Sequence, residues 1–278
     1  MSIETRVITA TDGRRVRVHD AGSRGSAIAL PVFWHHGTPG IGEPPQPLLA
    51  IADELCLRLI GHDRPGYGDS DRLQGRCVGH AAADVADIAD ALGIVRYAVM
   101  GYSGGGPHAL ACAAADPRVT AAATLAGLAP RDVQGLDWFD GMIDSGIKAL
   151  TSAERGESAR RAAEDDGYDP EFTDRDLAAL DGSWEWLGRI ASSFSPADLD
   201  GAIDDDLSYV NDWDVDLDAI DAPVRIWHGD ADRIVPPAHG RWLSRRLRAE
   251  LRSVPGAGHV SVLEEAGDAL RWIAAASR

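Results

Sequence analysis

The sequence predicts an α/β fold, a mostly parallel sheet with helices on both faces and a helical segment inserted into it. Three observations carry that expectation. Short apolar runs recur along the chain with helical patterns between them, which is the order of repeated βαβ units. The runs are near-continuous rather than alternating, as in strands buried on both faces. Between residues 131 and 218 the runs cease, and amphipathic helical stretches rich in Asp, Glu, Ala and Trp replace them.

Taken in order, residues 5–20 place Val7, Val16 and Val18 around Thr11-Asp12-Gly13, an opening hairpin. Ala27 to Trp34 is the first buried strand. A helical pattern follows from Pro47 to Leu57, then the strand Leu57-Arg58-Leu59-Ile60. Val78 to Leu92 is helical, Tyr97-Ala98-Val99-Met100 is a strand, and Pro107 to Ala115 is helical again. Ala121 to Ala126 is the last strand before the helical segment. Ala219-Ile220-Asp221-Ala222-Pro223 returns the chain to Val224-Arg225-Ile226-Trp227, and Glu250 to Val254 precedes a final helix. The division expected is an α/β core of residues 1–130 and 219–278, with 131–218 as a helical cap.

At 278 residues the chain can bury a full core. Its formal net charge of −17 repels phosphate backbones and anionic lipid, which argues against nucleic acid and membrane surfaces as partners. The odd number of cysteines, Cys56, Cys77 and Cys112, fits no metal or disulfide framework. Cys56 and Cys112 fall on apolar faces of expected helices and read as buried thiols. Met1-Ser2-Ile3-Glu4 offers no basic, then apolar, leader, and no apolar run reaches the ~18 residues that span a bilayer. A cytoplasmic protein acting on a small molecule is the expectation.

The segment from Tyr97 to His108 reads as strand, tight turn, helix, with Gly101-Tyr102-Ser103-Gly104-Gly105 at the turn. A nucleophile at the apex of such a turn needs small residues two before and two after it, because a Cβ there would clash as the chain reverses. Ser103 is therefore the candidate nucleophile. The helix behind it points its N-terminal N–H groups at any oxyanion formed there. A phosphate loop is the competing reading of so many glycines, but the Gly-Lys-Ser/Thr ending is missing.

A serine hydroxyl needs a base. Pro255-Gly256-Ala257-Gly258-His259 follows the last expected strand, and its small residues suit a loop that reaches across the sheet edge; His259 is the candidate. His19 lies in the early hairpin, and His108, one turn into a helix, reads as packed. The acid belongs after the strand ending Trp227-His228-Gly229, where Asp230 and Asp232 both stand. Asp232 lies further into the loop and is preferred, with Asp230 as a turn residue. Asp232 would fix the imidazole tautomer and stabilise the imidazolium. An imidazole of ordinary pKa, ~6.5, makes activity rise through neutral pH. The N–H of Gly104 and that of Thr38, in Trp34-His35-His36-Gly37-Thr38-Pro39-Gly40, are the candidate oxyanion donors that bind the substrate carbonyl; Pro39 has no N–H to give. The His35-His36 pair is too close in sequence to converge on one metal ion, and His36 reads as a brace for the loop.

His36-Gly37-Thr38-Pro39-Gly40, Asp63-Arg64-Pro65-Gly66-Tyr67-Gly68-Asp69-Ser70, the serine turn, Gly229 to Pro236 and Gly256 to His259 resemble the ordered motifs of the α/β-hydrolase superfamily. The resemblance covers the chain outside 131–218. It implies an eight-stranded, mostly parallel sheet and a helical cap over a Ser-Asp-His triad; the hydrolysis expected of those residues requires no metal or organic cofactor. Ser at the turn, where the haloalkane dehalogenase and epoxide hydrolase branches carry Asp, argues against those activities.

Other features read more plainly. Asp212, Asp214, Asp216 and Asp218 alternate, but a calcium loop would need Gly at Leu217 and Glu at Pro223. A solvated linker fits better. Trp138, Phe139, Trp184, Trp186 and Trp213 read mainly as core, with some facing the cleft above Ser103. The activity expected is hydrolysis of a small, fairly apolar carboxylic ester through an acyl-enzyme. A proline iminopeptidase-like aminopeptidase is an alternative, with Glu185 between Trp184 and Trp186 to hold an amine, although that family carries Trp where Gly104 stands. Carbon–carbon bond hydrolysis by the same residues is another. A ligand sensor or a non-hydrolytic biosynthetic catalyst is the alternative of a different class, because a fold does not fix a function.

Overall fold

The structure, a computed structural model, describes residues 3–22, 29–195 and 198–278. Eight strands form one sheet in the order β1-β2-β4-β3-β5-β6-β7-β8. β1 (Glu4–Thr9) and β2 (Arg15–Asp20) are the expected hairpin, and β2 runs antiparallel to β4 (Leu57–His62). All later pairings are parallel: β4 with β3 (Leu30–His35), β3 with β5 (Tyr97–Tyr102), then β6 (Val119–Leu125), β7 (Val224–Gly229) and β8 (Glu250–Val254). Of the expected run from Ala27, residues Ala27 and Ile28 lie outside the described residues, as do Met1 and Ser2.

Successive strand side chains point to opposite faces, and both faces are covered, which is why the runs do not alternate in polarity. Val32, Trp34, Ala98 and Met100 pack with α1 (Leu49–Glu54) and α10 (Ala266–Ala276) through Ala52, Ala269 and Ile273. Phe33, Ile60 and Val99 pack on the other face with α2 (His80–Ala91) and α3 (Gly105–Ala115) through Val85, Ile88, Ala109 and Cys112. α9 (Pro237–Leu247) adds Leu243 against Ile226 and Leu110.

Among the described residues between β6 and β7 stand five α-helices, α4 (Asp144–Glu154), α5 (Glu157–Ala162), α6 (Asp174–Leu180), α7 (Glu185–Ser192) and α8 (Leu199–Val210). No helix among the described residues is long and apolar enough to cross a membrane.

Two details depart from expectation. The helix expected over 47–57 stops at Glu54, and Leu57 already pairs with Leu30 in the sheet. Cys56 is therefore an exposed turn residue at φ 55°, not a buried helical thiol, because the chain must reverse there to enter β4. Cys112, on α3, is buried as expected.

Candidate active site

The turn after β5 holds Ser103 at φ 52°, a left-handed conformation that costs a non-glycine residue ~1–3 kcal/mol. The neighbours enforce it. The Ser103 N–H donates to the Leu125 carbonyl of β6 at 2.8 Å, and the Ser103 carbonyl accepts from Gly106 N at 2.9 Å. A Cβ at Gly101 would lie 2.2 Å from the Gly105 carbonyl oxygen, and one at Gly105 would lie 2.0 Å from that of His35. Only glycine fits at both positions, so these two glycines are what allow strand and helix to meet beneath the serine.

The three residues expected to act together converge. His259 Nε2 lies 2.9 Å from Ser103 Oγ, and His259 Nδ1 lies 2.8 Å from Asp232 Oδ2. Ser103 is 8% exposed and His259 6% exposed, so solvent reaches both only narrowly. The second oxygen of Asp232 accepts from the amides of Ile234 and Val235, both at 2.9 Å. Burial pushes the Asp232 carboxyl up, but the imidazoles of His259 and His228 outweigh it and hold the group well below the usual carboxylate range. Asp232 is thus an anion facing the imidazole N–H. Asp230 instead accepts from Gly256 N at 2.7 Å and ties the two loops together.

The loop after β3 runs beside this turn. Gly37 sits against the Tyr102 ring and Ser103 Cβ, close enough to crowd any side chain placed there. His36 donates through Nδ1 to the Gly37 carbonyl at 2.8 Å and accepts from Arg64 N at 3.3 Å, which braces its loop and ties it to the segment after β4. Burial and the nearby Arg64 keep this imidazole neutral, its pKa well below the ordinary value. The amides of Thr38 and Gly104 donate to no protein acceptor among the described residues.

A family model described as the alpha/beta hydrolase fold matches residues 31–266. The chain belongs to the α/β-hydrolase fold family. It is similar to a non-heme haloperoxidase of Rhodococcus erythropolis, 28% identical over 91% of this chain and 92% of the other. A non-heme chloroperoxidase of Streptomyces lividans is 29% identical over the same shares. Among solved structures, a thermophilic esterase from Thermogutta terrifontis aligns over 100% of both chains with a TM-score of 0.68 at 22% identity, a likeness of fold. This α/β hydrolase is an enzyme of the hydrolase class.

Several residues near the α/β-hydrolase site escape sequence reasoning. Asp205 of α8 accepts from Arg64, Arg76, Tyr67 and Thr38 Oγ1, and Tyr209 reaches Thr38 Oγ1 at 2.7 Å. Asp176 of α6 accepts from the amides of Val260 and Ser261. Both aspartates sit in acidic stretches of the kind that usually form a solvated face, so the sequence offers no signal that they turn inward. Of the aromatics in 131–218, Trp138, Trp184, Trp186 and Trp213 are all buried in cores. Trp186 donates to Glu43 at 3.0 Å, while Glu185 is exposed in the first turn of α7.

Proposed function

We propose that this enzyme is a serine hydrolase that cleaves a small, fairly apolar carboxylic ester through an acyl-enzyme formed on Ser103. The observation that carries the reading is the chain of contacts Ser103–His259–Asp232, at 2.9 and 2.8 Å, on a serine held in a strained turn. His259 Nε2 takes the hydroxyl proton as Oγ attacks the ester carbon, and Asp232 stabilises the imidazolium. The oxyanion is received by the N–H groups of Thr38 and Gly104. As the tetrahedral intermediate collapses, the C–O bond to the alcohol breaks and His259 returns the proton to it. Water, deprotonated by His259, then releases the acid and regenerates Ser103. Residues 131–218 are read as the cap that encloses this site.

A relative from Acinetobacter calcoaceticus named a bifunctional esterase/perhydrolase, 30% identical over 36% of this chain, favours a second outcome at the same intermediate. Hydrogen peroxide attacking the acyl-enzyme in place of water gives a peroxy acid and free Ser103, with the same proton transfers. The aminopeptidase reading loses support, because Glu185 is exposed and its two Trp neighbours are packed away.

A fluorophosphonate probe should label Ser103, found by peptide mass spectrometry, and Ser103→Ala should be both unlabelled and inactive in a screen of aryl esters of graded acyl length. Turnover of proline arylamide above that of every ester would favour an aminopeptidase. Peroxy acid formed from ester and added peroxide measures the second outcome. Ligand binding without turnover by either route would leave the sensor.

A further inference from the structure

We propose that two carboxylates carried by the helices between β6 and β7 are positioning residues for the reaction: Asp176 fixes the loop that carries His259, and Asp205 fixes the loop that carries Thr38. This rests on the reading of Ser103, His259 and the Thr38 amide given above and deepens it, because it makes the inserted helices part of the machinery and not only a cover.

Asp176 is the third residue of α6 and closes a capping box with Thr173, whose hydroxyl accepts from Asp176 N at 3.1 Å while Asp176 Oδ2 accepts from Thr173 N at 3.2 Å. That duty occupies one oxygen. The other, Oδ1, accepts from Val260 N at 2.9 Å, Ser261 N at 2.7 Å and Ser261 Oγ at 2.8 Å. On the opposite side of His259 stands Gly258, where a Cβ would lie 2.0 Å from Asp176 Oδ2. Both chain neighbours of His259 therefore touch one carboxylate, and moving that carboxylate moves the imidazole. Asp176 is 2% exposed, so water does not substitute readily for these bonds.

Asp205 is fully buried and accepts five hydrogen bonds. Oδ1 takes Arg64 Nε at 3.1 Å and Arg76 at 2.6 Å; Oδ2 takes Arg64 at 2.6 Å, Tyr67 at 2.8 Å and Thr38 Oγ1 at 2.6 Å. Arg64 continues to the carbonyls of His36 at 2.5 Å and Gly37 at 3.1 Å, the two residues before Thr38. Tyr209, one turn further along α8, bridges Thr38 Oγ1 at 2.7 Å and the Gly104 carbonyl at 3.1 Å. The residues of both candidate oxyanion donors are thus held from α8. A mispositioning of ~1 Å is enough to cost about 10²-fold in rate.

The test uses the full-length enzyme with Asp176→Asn, Asp205→Asn and, as a buried ion-pair control on α8, Asp204→Asn, whose carboxylate pairs with Arg72 and touches neither loop. Ser103→Ala is run alongside. Asp205→Asn should lower kcat by about 10²-fold, the scale of one lost oxyanion donor, with KM within about twofold. It should weaken binding of an aryl boronic acid by a similar factor. Asp176→Asn should lower kcat by at least about tenfold, move the acid limb of the kcat/KM pH profile, and broaden or abolish the downfield proton resonance of His259 Nδ1. Asp204→Asn should lose thermal stability while keeping kcat. If an Asn variant does not fold, Ser261→Ala and Thr38→Val remove single bonds to each carboxylate, and each should lower kcat several-fold at unchanged KM.

Unchanged kcat in folded variants, or losses that Asp204→Asn shares in proportion to its fall in Tm, would overturn the proposal while an inactive Ser103→Ala left the serine reading standing. An active Ser103→Ala would remove that reading and this inference with it.

Discussion

Asp230 and Asp232 stand two residues apart in one loop, yet only Asp232 reaches the imidazole, while Asp230 takes the Gly256 amide of the neighbouring loop. The two substitutions should separate cleanly. On the proposed reading, Asp232→Asn removes the anion that orients His259 and should lower kcat by ~10⁴-fold, as loss of a triad acid does elsewhere. Asp230→Asn should cost ~1 kcal/mol of stability and leave kcat within about threefold. Steady-state kinetics beside urea denaturation reads both. At the serine turn, Gly105→Ala forces a Cβ onto the His35 carbonyl and should abolish labelling of Ser103 in any protein that still folds. These positions were legible because local chemistry dictates them: a strained turn needs glycines at fixed offsets, and loop carboxylates and imidazoles follow strands in a set order. Thr38 and Gly104 were legible only as backbone donors, since the sequence does not reveal that the Thr38 hydroxyl is held by Asp205 and Tyr209.

At the scale of elements, the parallel strands announced themselves by apolar runs and the core helices by their spacing. The inserted segment was legible as helical, but the bounds of its helices and the side chains they turn inward were not. α6 is seven residues long and is stabilised at its start by the reciprocal bonds of Thr173 and Asp176. Thr173→Ala should cost ~1 kcal/mol of stability by removing the cap. Because the same Asp176 holds Val260 and Ser261, the variant should also slow fluorophosphonate labelling of Ser103, which a cap remote from the site would not do. α8 carries Asp204, Asp205 and Asp206 in succession, and each turns to a different arginine: Arg72, the Arg64–Arg76 pair, and Arg160. A run of acids reads as a solvated face in sequence, because pairing with arginines from distant segments leaves no mark within the run itself.

Over the whole molecule, five histidines are buried neutral. Burial holds His62 down to about 3 and His239 down to about 4, and it pushes His35, His36 and His108 well below the ordinary value. A histidine whose folded pKa is depressed contributes stability that is full above its unfolded pKa of ~6.5 and is lost as pH falls toward the folded value. Asp206, raised by burial to about 6, and Asp84, also raised by burial, work in the opposite sense and gain stability as pH falls toward the ordinary carboxylate range. Five groups outweigh two. Unfolding free energy should therefore decline steeply below pH 6.5, by about 1.4 kcal/mol per pH unit for each net proton taken up. Urea denaturation from pH 8 to pH 4 measures it, and a flat profile between pH 7 and pH 5 would contradict the burial assigned to these imidazoles.

The sequence by itself determined the sheet, because strands buried on both faces must be apolar throughout, and it determined the serine turn, because backbone strain restricts the residues allowed there. It also offered a candidate serine, acid and histidine in that order along the chain. Tertiary structure alone decided which acids of the inserted segment face inward, why Cys56 is exposed, and how α6 and α8 grip the loops of His259 and Thr38. Those outcomes depend on partners tens to more than a hundred residues away, such as Thr38 with Asp205 or Asp176 with Val260. Periodicity and local propensity report on neighbours along the chain, and carry no record of such distant pairings.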